Sequence, residues 1–182
     1  TDWYDLITRE GMIHQHNLSV SGGTSNLKYM ASFNFFDQNG VVRNSDFTRY
    51  TGRLNIEHQI NKIFKYGINA TQSYIKSSNV PLGTEDSMLE IDDYTQTKRL
   101  LVNAFLQAEI IKGLVAKINI GFDDQNGVRN SYIPTTTLYG KQEGGKASKS
   151  MAQQFDRLLE ATVNYNFNIA KAHKFNILAG YS

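Results

Sequence analysis

Seven ionisable side chains of this chain are spaced as a set that could do chemistry: Arg49, Arg53, Glu57, Arg99, Glu109, Lys117 and Glu160. Two carboxylates converging on one bond could act as acid and base. At strand spacing, however, every second residue shares a face, and the set then reads as the charged positions of one wetted surface with mutual salt bridges. That second reading is adopted, and the seven are expected to face a water-filled lumen. His14 and His16 would lie on one side of a strand and could share a metal, but no third ligand stands near them. His58 and His173 fall at expected short turns. No nucleophile elbow, phosphate-binding glycine loop or metalloprotease helix occurs, and Gly144-Gly145 between lysines reads as a loop tip. Neither a catalytic residue nor a metal nor a cofactor is expected. Tyr94, Tyr132 and Tyr139 fall in expected long loops, where they could stack on sugars, and they are the candidate substrate contacts.

The elements that must position these residues follow from composition and period. The chain has 182 residues, enough for one ordinary domain, with 19 Lys plus Arg against 17 Asp plus Glu and no cysteine. This balance excludes a disordered polyelectrolyte and gives no sign of a nucleic-acid-binding surface. Mean hydropathy is −0.43, and no apolar run approaches the roughly 18 residues of a membrane helix. A membrane β-barrel escapes that test, because polar residues dilute its apolar ones at every second position. Ten Tyr, ten Phe and only two Pro favour strands over a helical bundle.

Period 2 recurs along the chain. Leu27, Tyr29, Ala31, Phe33 and Phe35 oppose Lys28, Met30, Ser32 and Asn34. Tyr50, Gly52, Leu54 and Ile56 oppose Arg49, Thr51, Arg53, Asn55 and Glu57. The same alternation runs through Tyr66 to Tyr74, Leu100 to Ile110, Ala116 to Phe122, Leu159 to Phe167 and Phe175 to Tyr181. With a first strand around Asn17 to Ser21, about eight strands are expected. Helical spacing also exists at Leu101, Phe105 and Ala108 or Glu109, and at Phe155, Leu159 and Val163, so a helix stays open at both places. The opening stretch from Asp2 to Glu10 is either a short helix capped by Asp2 or an irregular arm.

Connection lengths alternate. Residues 22–26, 58–65, 111–114 and 169–173 are short, whereas 38–46, 76–96 and 124–154 are long. An up-and-down membrane barrel has tight turns at one end and long loops at the other, and a Greek-key sandwich has no reason to. Both prolines, Pro81 and Pro134, fall in long loops. On this plan Tyr29, Tyr66, Tyr165, Phe167 and Phe175 form an aromatic belt near the short turns, and Phe35, Tyr50, Tyr74, Phe122 and Tyr181 form one near the long loops. Asp37-Gln38-Asn39-Gly40 is echoed by Asp124-Gln125-Asn126-Gly127, which reads as a recurring strand-exit turn rather than a calcium loop.

Several of these residues resemble a known family. Asn17-Leu18-Ser19-Val20-Ser21-Gly22-Gly23, then Tyr29 and Ser32, Phe36-Asp37-Gln38-Asn39-Gly40, and Arg49 with Arg53-Leu54-Asn55 are similar to the SusC/RagA-type TonB-linked outer-membrane transporters. The likeness is most specific from Thr1 to about Tyr74, including Thr1-Asp2-Trp3, and later rests on strand pattern and the ending Ile177-Leu178-Ala179-Gly180-Tyr181. It implies an all-β fold: part of the wall of a plugged barrel of about 22 strands in the outer membrane of a Gram-negative cell, importing oligosaccharides or peptides. The implied partners are the rest of the barrel and its plug, a SusD-like surface lipoprotein, TonB and outer-membrane lipid. The 182 residues hold nothing that corresponds to a signal peptide, TonB box or plug, so the expectation is one internal stave from the early-to-middle barrel, with an arm at 1–13 and strands over 14–182. Two alternatives remain: a complete eight-stranded barrel with a structural or adhesive role, and a soluble carbohydrate-binding sandwich with a dry interior.

Overall fold

The computed structural model describes residues 5, 7–80, 91–169 and 173–182. Eight strands follow one another as β1 Ile13–Gly23, β2 Leu27–Asn39, β3 Asp46–Gln59, β4 Phe64–Ser78, β5 Asp92–Ile111, β6 Leu114–Ile133, β7 Lys146–Ile169 and β8 His173–Tyr181. One short helix, α1 Leu138–Glu143, sits between β6 and β7. Every strand pairs antiparallel with its sequence neighbour, giving a single eight-stranded sheet in the order β1 to β8. That is an up-and-down meander forming a segment of barrel wall. Among the described residues β1 and β8 are its two open edges, so the sheet is neither a closed small barrel nor a two-sheet sandwich.

The register assembles the alternating residues into two continuous faces. Tyr29 pairs with Ile56, Ile56 with Ile68, Ile68 with Ala104, Ala104 with Ile120 and Ile120 with Leu159, all on one side. This apolar face is not a core. Among the described residues Ile91 is the one buried hydrophobic side chain, and Leu54, Ile118 and Val163 are 42%, 47% and 45% exposed. A single sheet cannot cover its own apolar face, and among the described residues nothing else covers it.

Both helical alternatives resolve as strand: Leu101, Phe105 and Glu109 lie in β5, and Phe155, Leu159 and Val163 lie in β7. The long loop expected at 124–154 is mostly strand, since β6 continues to Ile133 and β7 starts at Lys146. Asp124 to Ser131 therefore lies inside β6 and makes no turn. In the first copy the strand does end at Asn39, yet the positive φ of that turn belongs to Asn44, at 63°, and not to the Asn-Gly pair. Part of 76–96 is likewise strand, with β4 reaching Ser78 and β5 beginning at Asp92. Pro81 lies outside the described residues, as do most of the opening stretch and residues 170–172. The alternation of short and long connections persists: 24–26, 60–63 and 112–113 at one end, and 40–45, 79–91 and 134–145 at the other.

The arm ahead of β1 is strapped across the first long connection. The Arg43 N–H donates to the Ile7 carbonyl at 3.0 Å and the Arg9 N–H to the Val41 carbonyl at 2.8 Å. The Arg9 guanidinium also donates to the Gly40 carbonyl at 3.0 Å and forms an ion pair with Asp46.

The apolar band crosses the hydrogen-bond rows obliquely. The row that starts at Tyr29, near the short turns of β2, reaches β7 at Leu159, whereas the corresponding aromatic residue of β7 is Tyr165. If the aromatic belt is level, this stagger over the strands from β2 to β7 corresponds to a strand inclination of about 40°, from a rise of about 3.3 Å per residue and a spacing of about 4.8 Å, within the range of closed barrels.

The tight turn at 112–113 depends on Gly113, whose φ is 85° and whose carbonyl accepts from the Asn166 N–H at 2.8 Å. A Cβ there would stand 2.2 Å from the Asn166 carbonyl oxygen. Gly113→Ala is expected to cost about 1–3 kcal/mol. Gly52→Ala, where a Cβ meets nothing within 4 Å, is expected to be close to neutral. The urea midpoints of folding into lipid vesicles, compared for the two variants, check this.

Candidate functional site

The face opposite the apolar one carries the chemistry. On β3 it displays Arg49, Arg53 and Glu57, on β5 Arg99 and Glu109, on β6 Lys117 and on β7 Glu160, and the cross-strand pairing places all seven on the same side. Between them stand amides and hydroxyls, among them Asn17, Ser32, Asn34, Thr51, Asn69, Thr71, Asn103, Asn119 and Asn164.

Most of these charges have partners within the wall. Lys65 on β4 reaches Glu57 at 2.9 Å. Arg99 donates through Nε to Asp123 on β6 at 2.8 Å. Asn119 donates to Glu160 at 3.2 Å, and the Gly113 N–H donates to the Glu109 carboxylate at 3.2 Å. The Lys117 ammonium sits 4.7 Å from the centre of the Phe105 ring. Phe105 breaks the polar alternation for a local reason: it pairs directly across from Gly67, and its ring lies 2.3 Å from where a Gly67 Cβ would be. The ring fills the gap left by the glycine and gives Lys117 a surface to lie on.

Farther toward the long connections, Arg129 donates through Nε to Asp93 at 3.0 Å, and Asp93 is buried at 5% exposure. That hydrogen bond and charge hold the Arg129 guanidinium above its ordinary pKa. The more exposed pair Arg99–Asp123 fixes side-chain positions more than it stabilises the fold. Sequence reading found Arg99 but neither Asp123 nor the Asp93–Arg129 pair, because a partner on another strand is named only by the register.

Arg49 and Arg53 are the exceptions. The Arg49 guanidinium lies over the Phe36 ring at 5.5 Å, and its Nε is buried without a hydrogen-bond partner. Among the described residues no carboxylate comes within ion-pair distance of either arginine.

The three candidate tyrosines are not loop residues. Tyr94 lies in β5, Tyr132 in β6 and Tyr139 in α1. Tyr94 pairs with Asn130, and Tyr132 with Asp92 and Ala147, on the side shared with Leu100 and Val102 and not on the side of Arg53. The structure brings Tyr94 and Tyr132 together in a shallow depression of about 460 Å3 with Asn130 and Lys149. Lys146 donates to the Tyr139 hydroxyl at 3.1 Å, which raises the lysine pKa above its ordinary value. α1 itself is capped by Thr137, whose hydroxyl accepts from the Gly140 N–H at 3.0 Å.

The aromatic residues near the long connections form a ladder across strands: His16 stacks on Phe35 at 6.1 Å, Phe35 contacts Tyr50 at 5.1 Å, and Tyr50 stacks on Tyr74 at 6.3 Å. At the other end Tyr165, Phe167 and Phe175 stack at 4.8 and 5.4 Å, and His58 meets Tyr66 edge-on at 5.5 Å. His16, one of the two candidate metal histidines, thus belongs to the aromatic row.

The chain matches no family model. Over its whole length it is 28% identical to the TonB-dependent receptor P3 of Formosa agariphila and 25% identical to the TonB-dependent receptor P26 of the same organism, and it spans 22% of each. Over 71 residues, 38% of the chain and 7% of the relative, it is 38% identical to the TonB-dependent receptor SusC of Bacteroides thetaiotaomicron. The chain thus spans about a fifth of the length of the curated relatives that match it throughout. Among solved structures, the RagAB peptide importer in its closed-closed state superposes on 98% of this chain and 25% of its own with a TM-score of 0.83, at 23% identity. The open-open state of that importer gives a TM-score of 0.83 with 98% and 24% covered, at 22% identity. These two likenesses are likenesses of fold.

Proposed function

We propose, from the premise that this chain is a SusC-like segment of a TonB-dependent receptor barrel, that it forms one sector of the wall of an active importer in the outer membrane of a Gram-negative cell. The apolar face looks into lipid and the polar face into the lumen, where amides, hydroxyls and charges line the path of an oligosaccharide or peptide. The long connections and α1 stand outside the cell and the short turns in the periplasm. A SusD-like surface lipoprotein is the partner at the outer end, and TonB supplies energy through regions other than these residues. Tyr94 and Tyr132, on the outward side above the aromatic row, and Tyr139 on α1 are proposed as contacts at the outer mouth, not in the bore.

The observation that carries this reading is a sheet with one predominantly apolar face, charged only toward the long connections at Lys98, Asp124 and Arg157, that among the described residues hides almost none of its apolar side chains. Among the described residues the polar face offers amides, hydroxyls and charges, most of them paired, which suit it to binding and guiding a cargo.

A peptide tag inserted between Gly144 and Gly145 tests the reading. Both glycines have positive φ and a Cβ at Gly144 would meet nothing within 4 Å, so the insertion is expected to be tolerated. In intact cells producing the complete polypeptide that bears residues 1–182, the tag is expected to be labelled by an impermeant antibody, and deletion of the gene is expected to abolish uptake of a fluorescent oligosaccharide or oligopeptide. Labelling only after lysis, or unchanged uptake of every oligomer tried, would count against it.

A further inference from the structure

We infer that Arg49 and Arg53, with Asn17, Ser32, Asn34 and Thr51 around them, form an anion-binding subsite on the polar wall that takes successive carboxylates of an oligomeric cargo. This rests on the reading that the polar face lines an import path.

Along β1 to β4 the polar face carries Lys28, Arg49, Arg53 and Lys65 as cations and Glu57 as its one acid. Glu57 is already engaged by Lys65 at 2.9 Å. Over β5 and β6 the cations Arg99 and Arg129 have their own acids, Asp123 and Asp93. On the polar face the guanidinium groups of β5 and β6 are therefore answered by acids of the sheet, whereas the two of β3 are not.

The unanswered groups have the geometry of a site. The buried Arg49 Nε lacks an acceptor, and a buried donor without one carries a desolvation cost that an incoming oxyanion removes. Arg53 neighbours Leu54, in the middle of the apolar band, and a cation at such depth with no counter-charge marks a pathway by default. Between the arginines and β1 lies a recess of about 410 Å3 lined by Asn17, Ser32, Asn34 and Thr51, small donors and acceptors that leave space for a ligand. Guanidinium groups take carboxylates in a bidentate manner, which makes this chemistry selective as well as attractive. Four residues along a strand separate the two by about 13 Å, too far to share one carboxylate and suited to two borne on one extended chain.

The test uses the complete polypeptide that bears these residues, purified in detergent, and four probes measured by calorimetry: hexaglutamate, hexaglutamine, hexagalacturonate and its methyl ester. The expected result is that at least one acidic probe binds roughly tenfold or more tighter than its neutral counterpart. The preference should shrink between low and high salt, and it should disappear in the Arg49→Gln, Arg53→Gln double variant while binding of the neutral probe is retained. The glutamate and galacturonate arms separate a peptide from a sugar-acid source. Absence of binding by both acidic probes, or equal binding of acidic and neutral ones, overturns the inference. So does a double variant that loses thermal stability and keeps its charge preference, since the arginines would then be serving an acid of the same polypeptide. Failure of the surface-labelling experiment would overturn the import reading instead, and the calorimetry does not depend on it.

Discussion

Ile118→Arg is expected to cost about 2–4 kcal/mol of folding free energy in a bilayer, a loss of roughly 30-fold to 1000-fold in the folding equilibrium. Ile118 stands in the middle of the apolar band between Leu106 and Ala161 and is nearly half exposed within the chain, so in the proposed orientation the new guanidinium would stand in hydrocarbon. Its neighbour Asn119 points to the other side and already donates to Glu160. Asn119→Arg places the same charge within reach of a carboxylate and water, and its cost is expected to stay below about 1 kcal/mol. The contrast between adjacent positions carries the information, because a soluble core and a lipid face both reject arginine but only a membrane wall has a wet second side one residue away. Urea-dependent folding of the complete polypeptide into phospholipid vesicles, scored by the heat-sensitive gel mobility of folded barrels, measures it. Equal costs for the two variants would sink the assignment of faces.

The 182-residue chain prepared alone in detergent-free buffer is expected to sediment as species well above its 20.6 kDa monomer. Two features drive this. The apolar face exposes Leu18, Phe33, Leu54, Ile118, Leu159 and Ile177 together, a contiguous surface that water does not tolerate. The edge strands β1 and β8 present backbone donors and acceptors with no partner strand, which invites pairing with other copies. Detergent micelles should dissolve the first kind of contact and leave the second, so a reduced but persistent self-association is expected there. Sedimentation velocity in both buffers distinguishes the cases. A single compact boundary at the monomer mass without detergent would mean that the chain covers its own apolar face, against the sheet described.

Strand identity was legible wherever one side of the strand is apolar. From Leu27 to Ile56, and again from Leu100 to Phe122, alternation alone marks both the strand and its faces, because hydrocarbon on one side and water on the other impose period 2. The same rule explains the failure at 124–133 and 146–154. In the proposed orientation both sides of β6 and β7 above the aromatic rows are wet, the alternation has no cause there, and a polar stretch containing Asn126-Gly127 reads as a turn although the hydrogen-bond ladder runs straight through it. Tyr94 and Tyr132 were placed in loops for the same reason. Seven of the charged residues of the polar face are legible individually, since they fall opposite apolar neighbours. Their partners are not: the pairing of Arg99 with Asp123 and of Arg129 with Asp93 depends on register, and nothing local sets it. Phe105 is legible only as one member of a helical spacing, and the cause of its place on the polar face, Gly67, lies across the strand pair.

The continuation of β6 and β7 beyond the aromatic row has a mechanical meaning. From Phe122 to Ile133 the strand advances about 36 Å, and β7 accompanies it in unbroken register from Arg157 to Lys146. β5 supports the other side as far as Asp92. Three laddered strands rooted in a wall make a stiff cantilever, not a tether. A load applied at its tip, around α1, arrives at the root near Arg99 and Asp123 as bending strain in continuous hydrogen-bonded ladders, with no slack segment between to absorb it.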